Sequence, residues 1–98
     1  MIDKETAISI VMEHILINLN VPGDKIVIMD EKTIEKNWGW IFFYQGKRWI
    51  ETKDRRYKIL GLYPIVIEKN DGSLHFLDVR GSLEECVREY EKRREISS

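Results

Sequence analysis

The residues able to act as a nucleophile or a general base are few in this chain. It holds one cysteine, Cys86, and two histidines, His14 and His75. Together with Asp78, the side chains of Cys86 and His75 would supply a thiol, a base and an orienting carboxylate. Cys86 falls, however, in the apolar stripe of a predicted helix, where a buried thiol is unreactive. The pattern therefore argues against a nucleophilic active site.

Metal and cofactor sites lack support as well. Two histidines without carboxylates at matching spacing do not make a metal site, and a single cysteine excludes a cysteine cage and an internal disulfide. The six glycines follow no phosphate-binding pattern. We therefore expect no cofactor, no metal and no catalytic residues, and we predict that the protein is not an enzyme.

Length and composition limit the class of protein. The 98 residues suffice for one domain, which we expect to span residues 1–98. Lysine and arginine number 16 against 17 acidic residues, so the net charge is −1. This argues against a nucleic-acid partner, because nucleic-acid-binding proteins carry a basic excess. Residues 1–5 lack a signal pattern and no apolar run approaches membrane-spanning length, so we expect a cytoplasmic protein that does not bind a membrane.

The aromatic stretch Trp38–Tyr44 is the segment around which the predicted fold is arranged. As a strand, it places alternate side chains on opposite faces. One face then carries Trp38, Trp40, Phe42 and Tyr44, and the other carries Gly39, Ile41 and Phe43. Because both faces are apolar, the strand should be covered on both sides. We predict helices over one face, and a loop, a second subunit or a partner over the other.

Helices are predicted at both ends of the chain. The first covers Asp3–Asn20, with Asp3 as its cap. The second begins at Ser82, which has capping-box spacing to Glu85. The predicted buried stripes are Ile8, Val11, Met12, Ile15, Leu16 and Leu19 in the first helix, and Leu83, Cys86, Val87 and Tyr90 in the second.

The outer face of the first helix leaves two interpretations open. Ile10, His14 and Ile17 fall roughly opposite the buried stripe. Scattered exposed apolar residues are common, and the two isoleucines fit that description. Alternatively they form a second contact surface, which would make a homodimer possible.

Further strands complete the predicted sheet. Ile26–Asp30 reads as a short strand, Thr33–Asn37 as an extension of the aromatic strand, and Arg48–Thr52 as a strand that pairs back. Pro64–Val79 is predicted to be a hairpin. The predicted fold is α+β, an antiparallel sheet of about four to five strands packed by an N-terminal and a C-terminal α-helix.

The hairpin has a predicted register. If Asp71 and Gly72 are its two loop residues, Ile67 lies opposite Phe76 and Glu68 lies opposite His75. The side chains that then share the core face are Ile65, Ile67, Leu74 and Phe76.

Three tryptophans and four tyrosines exceed what a small core requires. The aromatic residues of the irregular stretch 46–63 are either core plugs or part of a binding surface, and composition does not decide between them. Loops on a rigid sheet concentrate binding residues, and Trp, Tyr and Arg dominate binding hot spots. The predicted partner-binding residues are Trp49, Arg55, Arg56, Tyr57 and Tyr63, with Glu68 and His75 beside them.

From Thr33 onward the chain resembles a known family. The residues that carry the resemblance are Thr33–Tyr44, Trp49–Thr52, Gly61, Pro64, Val66–Lys69, Asp71-Gly72, Gly81–Glu85 and Tyr90-Glu91. Their order and spacing resemble the bacterial immunity protein 35 family, the antidote proteins of polymorphic toxin systems. Two residues depart from its pattern, since Lys53 stands where we expect glycine and Leu62 where we expect asparagine.

The resemblance implies a non-enzymatic protein, encoded beside a toxin, that binds and neutralises this toxin in the cytoplasm of the producing cell. The implied partner is thus a cognate protein toxin. The family pattern looks structural, so the resemblance assigns no binding residues. A small chaperone-like or structural interaction domain is the alternative function, and a toxin gene immediately upstream would favour immunity over it.

Overall fold

The computed structural model describes residues 1–19 and 21–97. The helices are α1 (Lys4–Asn18), α2 (Lys47–Thr52) and α3 (Leu83–Ser97), with short 3-10 helices at Asp30–Lys32 and Arg55–Tyr57. The strands are β1 (Ile26–Ile28), β2 (Ile34–Lys36), β3 (Gly39–Phe42), β4 (Tyr44–Gly46), β5 (Ile65–Glu68) and β6 (Leu74–Phe76). The predicted α+β class, with helices at both ends of an antiparallel sheet, is confirmed.

The strands form two antiparallel sheets, one of four strands in the order β2-β3-β5-β6 and one of two strands, β1-β4. The stretch Trp38–Tyr44 is therefore not one strand, as predicted, but is divided at Phe43 between the sheets. The carbonyl oxygen of Phe43 accepts a hydrogen bond from the Met29 amide at 2.8 Å, next to the pair formed by Ile28 and Tyr44. The chain changes sheets here because its backbone groups change partners.

Each face of the four-stranded sheet is covered by a different helix. On one side α1 contributes Ala7, Val11 and Ile15 to a cluster with Trp40, Phe42, Ile65 and Ile67. On the other side α3 contributes Cys86 and Val87 to a cluster with Ile41, Val66 and Leu77. The prediction of helices over one face is therefore wrong. A strand that is apolar on both faces is satisfied here by one helix on each face.

The segment before the aromatic stretch is a separate strand rather than an extension of it. β2 pairs with β3, with Ile34 opposite Ile41 and Lys36 opposite Gly39. A turn at 37–38 connects the two strands. This turn moves Trp38 out of the strand alternation, so its side chain packs with the α3 cluster rather than on the side of Trp40.

The β5–β6 hairpin is shifted by two residues from the predicted register. Ile65 lies opposite Phe76 and Ile67 opposite Leu74, because the loop is longer than the predicted two residues. Gly72 has a φ of 70° in this loop, and its amide donates to the Glu68 carbonyl at 2.9 Å. A shift of two residues preserves the faces, so Ile65, Ile67 and Leu74 pack in the α1 cluster as predicted. Phe76, predicted to share this core face, is instead 51% exposed.

Helix α1 confirms its predicted cap and corrects its predicted faces. Oδ1 of Asp3 accepts from the Thr6 amide at 2.8 Å. Leu16, predicted to be buried, is 78% exposed, whereas Ile10, predicted to face outward, packs against the core. Ile17 is exposed, as predicted. The predicted helix end at Asn20 lies outside the described residues.

Candidate partner-binding surface

Residues 47–58, which we call the basic segment, fold as α2 followed by the 3-10 helix Arg55–Tyr57. The predicted strand over Arg48–Thr52 is therefore wrong. The start of α2 is satisfied from a distant loop, since the Arg48 amide donates to Oδ1 of Asp24 at 3.3 Å and the Lys47 amide donates to the Lys25 carbonyl at 2.7 Å. The residue before α2, Gly46, has no side chain that could cap the helix, and the capping groups lie more than twenty residues earlier. Local sequence reasoning therefore missed the helix.

The residue that ends α2 has an unusual backbone conformation. Lys53 has a φ of 59°, in the left-handed region that favours glycine, and its amide donates to the Trp49 carbonyl at 2.7 Å. This is the position where the family resemblance leads us to expect glycine. The Lys53 ammonium lies 4.3 Å from the centroid of the Trp49 ring. That cation–π contact partly offsets the backbone strain.

Two side chains of β4 hold the chain that follows the basic segment. Gln45 is buried, and its Oε1 accepts from the Ile59 amide at 2.9 Å while its Nε2 donates to the Ile59 carbonyl at 3.1 Å. The Tyr44 hydroxyl donates to the Tyr63 carbonyl at 2.6 Å, and burial raises the pKa of Tyr44. The basic segment thus begins directly after β4 and is followed by chain that hydrogen-bonds back to β4, although it forms no strand itself.

The predicted aromatic residues of the basic segment are half-buried between cations. The ammonium of Lys58 lies 5.6 Å from the Trp49 ring centroid, on the same ring as that of Lys53. The guanidinium carbons of Arg48 and Arg56 lie 5.4 and 5.8 Å from the Tyr57 ring centroid. Among the described residues, neither ring belongs to the two hydrophobic clusters. This favours a surface role for both rings over the role of core plugs.

The predicted arginines differ in their surroundings. Arg55 is exposed. Arg56 donates from Nη2 to Oδ2 of Asp54 at 2.7 Å, and its Nε donates to the same carboxylate. This side-chain hydrogen bonding lowers the pKa of Asp54 and raises that of Arg56. Tyr63 is 49% exposed in the loop that follows.

Glu68 and His75 lie elsewhere, on the α3 side of the four-stranded sheet. His75 is opposite Val66 rather than Glu68, and its Nε2 is 2.9 Å from the Ser73 hydroxyl. In the part of the chain that the structure describes, no hydrogen bond, ion pair or ring contact links Glu68 or His75 to the basic segment. The structure therefore does not bring the seven predicted site residues into one surface.

Glu68 is instead the centre of a polar group that joins β5 to α3. It accepts from Nη2 of Arg94 at 2.7 Å and from the Tyr90 hydroxyl at 2.7 Å, and we call these three residues the Glu68 network. Burial alone would raise the pKa of Glu68, but the hydrogen bonds from Arg94 and Tyr90 lower it below its usual range. Burial and the bond to Glu68 raise the pKa of Tyr90.

Trp38 extends this group along α3. Its Nε1 donates to Oε2 of Glu91 at 2.9 Å, and the guanidinium carbon of Arg94 lies 4.8 Å from its ring centroid. A groove of about 720 Å³ adjoins the Glu68 network between α3 and the β5–β6 hairpin. Sequence reasoning missed Tyr90 and Arg94 as partners of Glu68, although their spacing of four places them on one face of α3.

The remaining candidates for chemistry are separated or buried. Cys86 is buried, as predicted, and its sulfur accepts from the Arg80 amide at 3.2 Å. Within residues 1–19 and 21–97, no group of three or more His, Cys, Asp or Glu side chains is placed to hold a metal ion. None of the described helices is long and apolar enough to cross a membrane.

A comparison with protein families identifies the family of this chain. The sequence model of the family described as Immunity protein 35 matches residues 5–91, which is most of the chain. The chain belongs to the Immunity protein 35 family. The match begins at residue 5, so it extends the resemblance seen from Thr33 onward into α1.

A curated relative of this Immunity protein 35 chain is also found. Over 53 residues the chain is 34% identical to the uncharacterized protein YrhB of Escherichia coli strain K12. The match covers 54% of this chain and 56% of YrhB, so it spans little more than half of that relative. None of the solved structures matches the chain.

Proposed function

We propose that the protein is a non-enzymatic immunity protein that binds a cognate bacterial toxin in the cytoplasm of the producing cell and neutralises it by occlusion. The observation that carries this proposal is the family match over residues 5–91. Immunity by occlusion needs a stable binding surface and no catalytic group. This agrees with the described contacts, in which His14 is beside Asn18, His75 is beside Ser73 and Cys86 is buried.

The occluding surface in this proposal consists of the basic segment and the following loop, with Trp49, Arg55, Arg56, Tyr57 and Tyr63 as contact residues. Anchoring by Tyr44 and Gln45 supports it, because a pre-ordered loop loses little conformational entropy on binding. Glu68 and His75 are left out of this surface, since the contacts of Glu68 with Arg94 and Tyr90 serve the packing of α3.

A co-expression experiment tests the function. The gene immediately upstream, which this proposal takes to encode the toxin, is induced in a host with and without this chain, and survival is counted. We expect the chain to protect the host and to co-purify with the toxin as one stoichiometric complex. A host that dies equally in both cases contradicts the proposal, and capture of many weakly bound proteins would favour a chaperone-like domain instead.

A further inference from the structure

The charge of this protein is strongly polarised although its total is close to zero. The basic segment holds six basic and two acidic residues, a local net charge of +4. The other 86 residues carry a net charge of −5, which gives the total of −1. The near-neutral composition therefore conceals a basic surface, and sequence totals alone underestimate its attraction for an acidic partner.

Most of the basic side chains in this segment form no ion pair with an acidic side chain among the described residues. Of the six, Arg56 alone forms an ion pair among the described residues, with Asp54. The five others are Lys47, Arg48, Lys53, Arg55 and Lys58. A surface whose cations are left unpaired inside the protein remains available to carboxylates from outside it.

The aromatic rings beneath these cations order them without neutralising them. Lys53 and Lys58 share the Trp49 ring, and Arg48 and Arg56 contact the Tyr57 ring. A cation–π contact leaves the positive charge intact and restricts a long, flexible side chain. Since less rotamer freedom is then lost on binding, these cations are better prepared to bind than lysines and arginines on an ordinary surface.

We propose that the basic segment recognises an acidic, carboxylate-rich surface on a protein partner. The inference rests on the proposed function, in which that partner is the toxin. The Arg56–Asp54 pair shows the contact expected, with Nε and Nη2 of one guanidinium donating to one carboxylate. A carboxylate from the partner would bind Arg55 or Arg48 in the same manner.

Two observations favour an acidic protein over a nucleic acid. Trp49 and Tyr57 are half-buried and occupied by cations, so their ring faces are not free to stack on bases. The rest of the chain is acidic, which would repel a phosphate backbone that extended beyond the segment. An acidic patch on a folded protein is confined and meets only the basic segment.

Charge reversal tests the inference. The variant Lys47→Glu/Arg55→Glu reverses two exposed side chains for which the structure shows no contact, and Arg88→Glu/Lys92→Glu makes the same change on the exposed side of α3. Association with the toxin domain encoded upstream is measured at about 50 and about 300 mM salt, where screening differs strongly. We expect the first variant to associate at least about tenfold more slowly at low salt and to lose salt dependence, and the second to behave like the wild type.

The outcomes separate this inference from the function on which it rests. If wild type binds the toxin domain and both charge-reversed variants bind equally well, the acidic-partner surface is wrong and the immunity function stands. If wild type neither binds the toxin domain nor protects against it, both are overturned. In a parallel arm, tight binding of a DNA duplex by wild type that Lys47→Glu/Arg55→Glu abolishes would overturn the acidic protein partner in favour of nucleic acid.

Discussion

The carbonyl oxygen of Ile67 occupies the space that a Cβ atom on Gly39 would need. The two residues lie on neighbouring strands, where Gly39 faces Glu68 and Trp40 faces Ile67. The φ of Gly39 is not in the left-handed region, so this glycine is required by close approach of the backbones rather than by its own conformation. It sets the spacing of β3 and β5, the two central strands on which both helices pack.

Gly39→Ala should therefore lower the free energy of unfolding by about 2–3 kcal/mol, because the obstructing atom is backbone and cannot rotate away. The measurement is urea denaturation. Gly61→Ala serves as control, since Gly61 has a φ of 80° and no atom within 4 Å of an added Cβ. That control should lose only about 1 kcal/mol from backbone strain. An equal or smaller loss for Gly39→Ala would refute the close-approach explanation.

The left-handed conformation of Lys53 leads to a second prediction. Lys53→Gly should be more stable to urea than Lys53→Ala by about 1 kcal/mol, because both variants lack the contact with Trp49 but only alanine retains the Cβ penalty. Wild type should lie between the two variants, since its cation–π contact contributes about 0.5–1 kcal/mol. Equal stability of the glycine and alanine variants would show that this position is not strained.

The Glu68 network gives the stability of the fold a dependence on pH. The pKa of Glu68 is lower in the folded protein than its ordinary value, so its contribution is present above the ordinary pKa and is lost as the pH falls through the folded-state pKa. We expect Glu68→Gln to be less stable than wild type by roughly 1 kcal/mol at neutral pH, a value reduced for solvent screening. The difference should shrink at acidic pH, where Glu68 is protonated in both states.

Denaturation curves of Glu68→Gln and wild type, recorded across this pH range, measure the effect. Glu89→Gln is the matched control, because Glu89 is exposed on α3 and makes no described hydrogen bond or ion pair. The control should stay within about 0.5 kcal/mol of wild type in the free energy of unfolding at neutral pH. A difference between Glu68→Gln and wild type that did not change with pH would disprove the ionic contribution.

The surface proposed to contact the toxin should separate binding from stability. Arg55→Ala/Tyr57→Ala should reduce the affinity for the toxin by about thirtyfold, the size of a hot-spot loss of about 2 kcal/mol. The thermal midpoint should change little, because among described residues Tyr57 lies outside both hydrophobic clusters. Protection and thermal stability are scored in the same cells and lysates. If the double variant folds normally and still protects the host fully, the toxin does not bind at this surface.

A homodimer remains a prediction, and the structure changes the residues on which it rests. Ile10 packs against the core, so the exposed apolar pair on α1 is Leu16 and Ile17, at 78% and 72% exposure. We expect wild type to sediment as a dimer at micromolar concentration and Leu16→Ser/Ile17→Ser to sediment as an 11.7 kDa monomer. The control Leu60→Ser changes a leucine that is 82% exposed in the loop after the basic segment, outside α1, and it should leave the dimer intact. A wild-type monomer ends the idea.

Local sequence determined the features whose causes lie within a few residues. The cap Asp3 bonds the Thr6 amide, and Ser82 accepts from the Glu85 amide at 3.2 Å, as the cap spacing predicted. The shared face of Ile65 and Ile67 follows from the period of two in a strand, and survives a wrong register because the error was an even number of residues. The two terminal helices, the fold class and the family pattern were therefore accessible without coordinates.

Tertiary structure alone decided the features whose causes lie far along the chain. Helix α2 begins where the Asp24 carboxylate accepts a hydrogen bond from the Arg48 amide. The chain after α2 is fixed by a hydrogen bond from the Ile59 amide to the Gln45 side chain. The basic segment becomes a single surface only because these distant hydrogen bonds fold it onto β4. Periodicity and composition describe what a segment prefers by itself, whereas the partner of a backbone group is chosen by the whole fold, and that choice turned a predicted strand into the proposed binding surface.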